Sequence, residues 1–293
     1  MTRYSIRELE KLSGIKAHTI RIWEKRYNII QPRRTETNIR YYCDDDLKKL
    51  LNIAILNRQG WKISEIAKLK QSDLTEKVMN FTYNSKDVES QIEKMVIAMV
   101  DLDESKFDQI LSNAIMHDGF EQTIIKMIFP FFEKIGILWQ TGSINPAQEH
   151  FVSNLFRQKL MVAIDNLMIP DKENAKKFIL FLPENEFHEL GLLFYNYLIK
   201  KSGHSVIYLG SSVPLPDLVE TAEIIQPDYL FSAITTALDG EEFESYLHEL
   251  SGKFSKQTIY ITGLKAYTED ITLPRNITRI SSPLDFSEKL KQL

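Results

Sequence analysis

The sequence predicts a multidomain protein: an N-terminal winged helix-turn-helix, a four-helix bundle, and a C-terminal α/β domain built on a doubly wound, flavodoxin-like parallel sheet. Three observations predict this. Positive charge is gathered at one end, where residues 1–42 hold ten Lys or Arg against four acids. Between residues 88 and 167 apolar positions recur at helical spacing, with proline only at 130 and 146. From Lys176 onward short apolar runs alternate with amphipathic stretches, the pattern of a parallel sheet covered on both faces.

A chain of 293 residues is long enough for two or three domains. Its hydrophobic content of 43% and charged content of 26% are ordinary for a globular protein. The single cysteine, Cys43, excludes an internal disulfide and fits a reducing cytoplasm. The N-terminus has no apolar signal core. The longest apolar window, Ile124 to Trp139, is interrupted by Lys126, Glu133 and Lys134. A soluble, cytoplasmic protein with no membrane partner is the expectation. The net charge of −4 divides into +6 for residues 1–42 and −10 for the remainder, a layout suited to touching nucleic acid with one end only.

Ser5 to Glu8 reads as a capping box that opens a short helix with Ile6, Leu9 and Leu12 on one face. Ser13-Gly14 ends it, and a second helix runs from about Ala17 to Tyr27. Ile20 and Trp23 form its buried side, which leaves His18, Thr19, Arg21, Lys25 and Arg26 for the major groove. The segment QPRRTETNIRYY then supplies Arg33, Arg34 and Arg40 around a polar turn, as expected of a two-stranded wing that meets DNA phosphates or a minor groove. The run YSIRELEKLSGIKAHTIRIWEKRYNIIQPRRTETNIRYYCDDDLKKL resembles the DNA-binding domain of MerR-family transcription regulators over nearly its whole length. The resemblance implies a double-stranded promoter as partner. Two further helices, one starting at Asp44–Asp46 and ending before Gly60 and one over Ile63–Leu69, would complete a head spanning 1–70. MerR relatives continue into a long coiled coil. Here residues 71–87 lack heptads and read as a polar linker, so dimerisation would lie elsewhere.

The bundle, residues 88–170, is read as helices Val88–Val100, Glu104–His117, Gly119 to about Trp139, and Pro146–Met168. Asp103 caps the second, and Asn145-Pro146 opens the fourth. Trp139 is followed after nine residues by Glu149-His150, which could converge across the turn at Gly142. Spacing alone favours a plainer account, with the tryptophan in the core and the glutamate at a helix N-terminus.

In the C-terminal domain, residues 176–293, strands are expected at Phe178–Leu182, Ser205–Leu209, Tyr229–Ile234, Ile259–Thr262 and Thr278–Ile280. Ligands of such sheets bind at the carboxyl ends of the strands. The loop ENEFHELG follows the first strand and puts Glu186 and His188 there, with Glu184 and Glu189 read as solvated. Neither GxGxxG nor GxxxxGK[ST] occurs, so dinucleotide and P-loop chemistry are excluded. His18, His117, His204 and His248 form no metal spacing.

Glu186-x-His188-x-x-Gly191, then Ser232-x-Ile234, then Thr262-Gly263 is similar to the cobalamin-binding signature DxHxxG…SxL…GG, and Trp-x9-Glu-His looks like the helical cap that accompanies it. Head, cap and sheet in this order resemble the CarH-type light-dependent repressors. The resemblance implies His188 as lower axial ligand of cobalt and Glu186 as the carboxylate behind it. It places Ser232 and Gly263 along the displaced nucleotide tail, Trp139 and Glu149 beside an adenosyl group, and His150 as the ligand that takes cobalt after photolysis. Adenosylcobalamin is the expected cofactor, with methylcobalamin or none as alternatives, and the chain would assemble as a dimer or tetramer. Glu186 stands where the signature has Asp. Thr262 replaces the first glycine of the pair, and its Cβ could narrow the tail tunnel. That substitution supports a second reading, a ligand-free module for oligomerisation or partner binding. A third, a corrinoid carrier in methyl transfer, is opposed by the DNA-binding head and by the lack of a second catalytic constellation. The expectation is a regulator, a repressor and not an enzyme.

Overall fold

The computed structural model describes residues 3–35, 38–58, 60–70, 73–74, 77–78, 88–140, 145–168, 173–238, 240–268 and 271–293, with the side chains of 137–140 excepted. The chain divides into two compact units, Met1–Val152 and Ser153–Leu293.

In the first unit, α1 (Ile6–Ser13) starts at the expected capping box. The Ser5 hydroxyl accepts from Glu8 N–H, and the Glu8 carboxylate accepts from Ser5 N–H. It stops at Gly14, whose φ of 70° makes the left-handed cap that glycine adopts without cost. α2 (Ala17–Tyr27) has a lysine where a cap should be, and Glu10 of α1 supplies the missing acceptor to Ala17 N–H at 3.0 Å. The two helices are therefore locked across their turn by one carboxylate. The wing is a short antiparallel pair, β1 (Arg33–Arg34) and β2 (Arg40–Tyr41). α3 (Asp44–Arg58) is followed by α4 (Ile63–Ile66).

Residues 71–87 were expected to be a solvated linker. Of those described, Asp73-Leu74 and Lys77-Val78 are helical, and Leu74 and Val78 are buried; the apolar pair at helical spacing packs inward. The remainder of that segment lies outside the described residues.

The bundle helices are α5 (Val88–Asp101), α6 (Glu104–Asp118), α7 (Phe120–Thr123), α8 (Phe129–Gln140) and α9 (Pro146–Asp165). The expected third helix is thus not continuous. A π-helical segment, Ile124–Ile128, separates α7 from α8. The reason lies at Pro130, which has no N–H to donate into the preceding turn.

Within this unit α3 of the head packs directly on α5 of the bundle. Arg58, the last residue of α3, points both guanidinium nitrogens at Glu93, with Nη1 2.9 Å from Oε1. Glu93 is completely buried. Burial pushes its carboxyl up to about 7, against the pull of Arg58. Lys48 pairs with Asp101 further along the same two helices.

In the second unit, β3 (Lys177–Pro183), β4 (Ser205–Val213), β5 (Tyr229–Ala233), β6 (Thr258–Thr262) and β7 (Ile277–Arg279) form one parallel sheet in the order β4-β3-β5-β6-β7. Between them run α10 (Leu190–Lys201), α11 (Leu215–Ile225), α12 (Glu241–Lys253) and the short α13 (Lys265–Thr268), and α14 (Pro283–Leu290) closes the chain. β4 continues four residues past Leu209, because Gly210 and Ser212, both at positive φ, bulge it instead of ending it. Ile179, Phe181, Leu230, Ile259 and Ile261 form one sheet face beneath α11 and α12. Phe178, Tyr229, Phe231 and Tyr260 form the other, where Tyr195 of α10 and Phe286 of α14 pack on Phe231. His204 is a core histidine satisfied on both nitrogens, by Lys176 N–H and the Leu290 carbonyl.

The Arg58–Glu93 contact yields an asymmetric prediction. Arg58→Met strands a buried carboxylate and should cost about 3 kcal/mol in urea unfolding of the full chain. Glu93→Leu should cost clearly less, because Arg58 is a third exposed and can turn to water. Equal losses would contradict the burial assigned to Glu93.

Candidate functional site

The head presents a basic face. α2 buries Ile20 and Trp23 and leaves His18, Arg21, Lys25 and Arg26 exposed, with Thr19 half-buried. Arg33, Arg34 and Arg40 are exposed on the wing. Glu24 of α2 accepts from Tyr42 Oη at 3.0 Å and lies 3.9 Å from Arg40, so one carboxylate sets the angle between helix and wing. Arg34 also has a local task, donating to Asn38 Oδ1 at 2.7 Å across the wing turn. Sequence reasoning missed two contributors. Arg3 lies over the Tyr41 ring, 4.9 Å from its centroid, because the bridge between Tyr4 and Tyr42 brings the N-terminus to the wing. Ile22 and Ile39 are exposed apolar residues on the same elements.

The second site lies at the carboxyl ends of β3 and β5, adjacent strands where the sheet order reverses. A doubly wound sheet opens its crevice there. Glu186, in the loop after β3, is fully buried and makes the crevice a fixed object. Its Oε2 accepts from the N–H groups of Thr235, Thr236 and Ala237, in the loop after β5, at 2.8, 2.7 and 3.1 Å. Its Oε1 accepts from Phe187 and His188 N–H, both at 3.1 Å, and lies 2.6 Å from His188 Nδ1. Burial alone would push this carboxyl up. His188 and the N–H groups of Thr236, Ala237 and Thr235 outweigh it and hold Glu186 well below the usual carboxylate range.

An anionic Glu186 fixes the proton of His188 on Nδ1, so Nε2 carries the lone pair that would coordinate a metal. The His188 side chain is 58% exposed and half-turned to solvent above a buried anchor. Phe187, Leu264 and Tyr267, all after carboxyl ends of strands, are exposed apolar residues. Apolar surface at the carboxyl edge of the sheet, the edge that also carries His188, suits a broad, flat, metal-bearing ligand. Ser232 Oγ is fully buried and has no hydrogen-bond partner among the described residues. An orphan hydroxyl of this kind asks for a ligand atom or water. These residues fit a corrinoid.

The remaining predicted residues fall out differently. Gly191, in the first turn of α10, would meet nothing within 4 Å if it carried a Cβ, so the fold itself does not require it. Gly263 is the opposite case: its φ is +95°, and a Cβ would lie 2.7 Å from the backbone N and C of Ile234. The strand register puts Ser232 opposite Ile261, whereas Thr262 pairs with Ala233. Ser232 and Thr262 therefore lie on opposite faces of the sheet. Thr262 hydrogen-bonds Tyr195 and donates to the Ile280 carbonyl at 3.3 Å, away from Ser232. Glu184 is exposed as expected, but Glu189 is not solvated. It pairs with Arg157 of α9 at 2.8 Å and accepts from Tyr208 Oη at 3.3 Å, because the first turn of α10 brings it against β4. In the bundle, Trp139 is near the end of α8, and its side chain lies outside the described residues, as does the Gly142 turn. Glu149 and His150 lie in the first turns of α9, Oε2 to Nδ1 at 3.2 Å, with His150 exposed.

Comparisons with known proteins match the head and the helical bundle. Residues 4–73 match the MerR HTH family regulatory protein model, and residues 91–163 match the B12 binding domain. The chain is 28% identical over 253 residues to the HTH-type transcriptional repressor CarH of Myxococcus xanthus, covering 84% of each. It is 25% identical over 264 residues to CarA of the same organism, 89% of this chain and 86% of that one. It is a MerR-type DNA-binding regulator with a B12-binding domain, homologous to these repressors. The fold is shared with the monomethylamine corrinoid protein of Methanosarcina barkeri, at a TM-score of 0.54 and 15% identity over 71% of this chain and all of that one. Both named relatives are transcriptional regulators, in line with a non-enzymatic role. No described helix is long and apolar enough to cross a membrane.

The two glycines of the B12-binding regulator should separate stability from ligand binding. Gly263→Ala forces both strain and overlap and is expected to destabilise the second unit by about 3 kcal/mol or more. Gly191→Ala should leave the unfolding midpoint unchanged and weaken corrinoid binding, measured by visible absorbance titration. A Gly191→Ala protein that binds as tightly as the parent would remove Gly191 from the site.

Proposed function

We propose that this regulator is a repressor under the control of adenosylcobalamin, and that light acts through the same cofactor. The observation that carries the reading is the Glu186–His188 pair: a buried anion, held by five backbone N–H groups, presents one imidazole at a sheet crevice in a chain that also carries a DNA-binding head. His188 would hold the cobalt, and Glu186 would keep its ring oriented and basic. Ser232 is assigned to the nucleotide tail. With Thr262 on the other sheet face, its Cβ does not crowd that hydroxyl. Trp139, Glu149 and His150 are assigned to the cofactor's other side. When bound, the cofactor would supply a cobalt–carbon bond sensitive to visible light, and His150 would be the residue held ready to take the metal.

The homo-oligomer belongs to the same proposal. Several heads in one assembly hold neighbouring DNA sites with raised effective concentration. The cofactor can favour that assembly only by binding it more tightly than the free chain. α2 reads the major groove through His18, Arg21, Lys25 and Arg26, while Arg33, Arg34 and Arg40 meet the backbone.

The test is reconstitution with adenosylcobalamin in darkness, followed by gel filtration and absorption spectra before and after green light. A larger species in darkness that shrinks on illumination is expected, and His188→Ala should lose the imidazole-coordinated spectrum. Identical elution without cofactor, in darkness and after light would refute control by assembly. A colourless protein after soaking would return the C-terminal domain to a ligand-free role.

A further inference from the structure

We propose that Arg58, Glu93 and Lys134 are positioning residues that fix the DNA-reading head on the helical cap and carry the state of the cofactor site to it. This deepens the reading above and rests on it for the transmitted signal, but not for the fixed head.

The joint is built from two helices of the cap and two of the head. Arg58 ends α3, the long helix of the head, and engages the buried Glu93 of α5 with both Nη atoms. A bidentate fork fixes an angle as well as a distance. Desolvating a carboxylate costs several kcal/mol, which makes such a pair weak glue compared with apolar packing. The return is orientation: the head has one favoured seat on α5, and sliding by a turn would strand Glu93.

Lys134 is the second element. It is on α8, and its Nζ reaches Glu89 of α5 at 2.7 Å and the carbonyl of Leu12 at 3.4 Å. Leu12 is at the end of α1, beside Ser13 and Gly14, in the turn that leads to α2. Ser13 Oγ holds that turn by donating to Leu9 O and accepting from Ile15 N–H. A cation at the carboxyl end of a helix also suits its dipole. One ammonium therefore ties the cap to the helix-turn-helix at the place that aims the reading helix. α1 packs on α8 in support.

α8 is also the helix of Trp139, five residues beyond Lys134, or about 7.5 Å along the axis. The π segment and Pro130 interrupt the helix just before it. Such a break lets a helix shift against what precedes it more readily than an unbroken one would. A displacement of α8 at its Trp139 end would move Lys134, and with it Leu12 and the turn before α2.

Hydrogen exchange of the full chain tests this, with and without adenosylcobalamin in darkness. Visible absorbance reports cofactor binding separately. Without cofactor, Lys134→Met and Arg58→Lys should speed exchange in α1 and α2 by about tenfold while α6 stays unchanged, and Lys134→Arg should restore the parent rate. With cofactor bound, the parent should change exchange in α1 and α2, and Lys134→Met should lose that change while keeping its spectrum. Unaltered exchange in the cofactor-free variants would overturn the fixed head. A parent that binds the cofactor yet shows no change in α1 and α2, or a Lys134→Met variant that keeps the change, would overturn the transmission. Failure to bind any corrinoid would sink the cofactor reading and the transmission with it, leaving the fixed head to the first comparison.

Discussion

One buried carboxylate organises the crevice at the sheet's switch point. Glu186 accepts three N–H bonds from the loop after β5 and two from its own loop, and it still reaches His188 Nδ1. Removing it would leave five amide donors and an imidazole without their acceptor. The loops on either side of the sheet's switch point would then have no reason to hold their distance. A backbone-solvated carboxylate of this kind remains ionised at any ordinary pH, so the tautomer of His188 is set by the fold and not by the solvent. The extra methylene of Glu over Asp is absorbed by this geometry, since the carboxylate reaches all six partners.

The fold was readable because its signals are local. The capping box at Ser5, the left-handed Gly14, the acidic start of α3 and the alternation of strands and helices after Lys176 each act over a few residues. What escaped was long-range or backbone-borne. No spacing rule places Arg3 over Tyr41, which depends on the bridge between Tyr4 and Tyr42. Leu74 and Val78 looked like stray apolar residues in a polar stretch, yet both are buried. Glu189 looked like its solvated neighbour Glu184 until the first turn of α10 put it beside Arg157 and Tyr208.

The candidate site was legible in the residues that meet at the crevice and illegible in their reasons. His188 and Glu186 followed from position at a strand end. The meaning of the glycines did not, because two glycines of one motif have different causes. Gly263 is demanded by the Ile234 backbone, while Gly191 has empty space where its side chain would be. Thr262 misled for a related reason. Sequence order makes residues 262 and 263 look like one wall of a tunnel, but strand alternation turns the Thr262 side chain away from the face that holds Ser232.

Stability and signalling make opposite demands on the head. Apolar packing of α3 on α5 would hold the two together whatever their exact register, and a regulator gains nothing from a joint that tolerates slippage. A buried ion pair reverses the balance: it adds little to affinity and penalises every misaligned seat by an uncompensated charge. The same logic applies at the cofactor. An orphan Ser232 hydroxyl and the exposed Phe187, Leu264 and Tyr267 are costs of the chain standing alone. A ligand that removes those costs in one arrangement and not another has the differential affinity that any switch requires. The two sites are thus built on one principle, a small stability sacrifice that makes one geometry preferable to its neighbours.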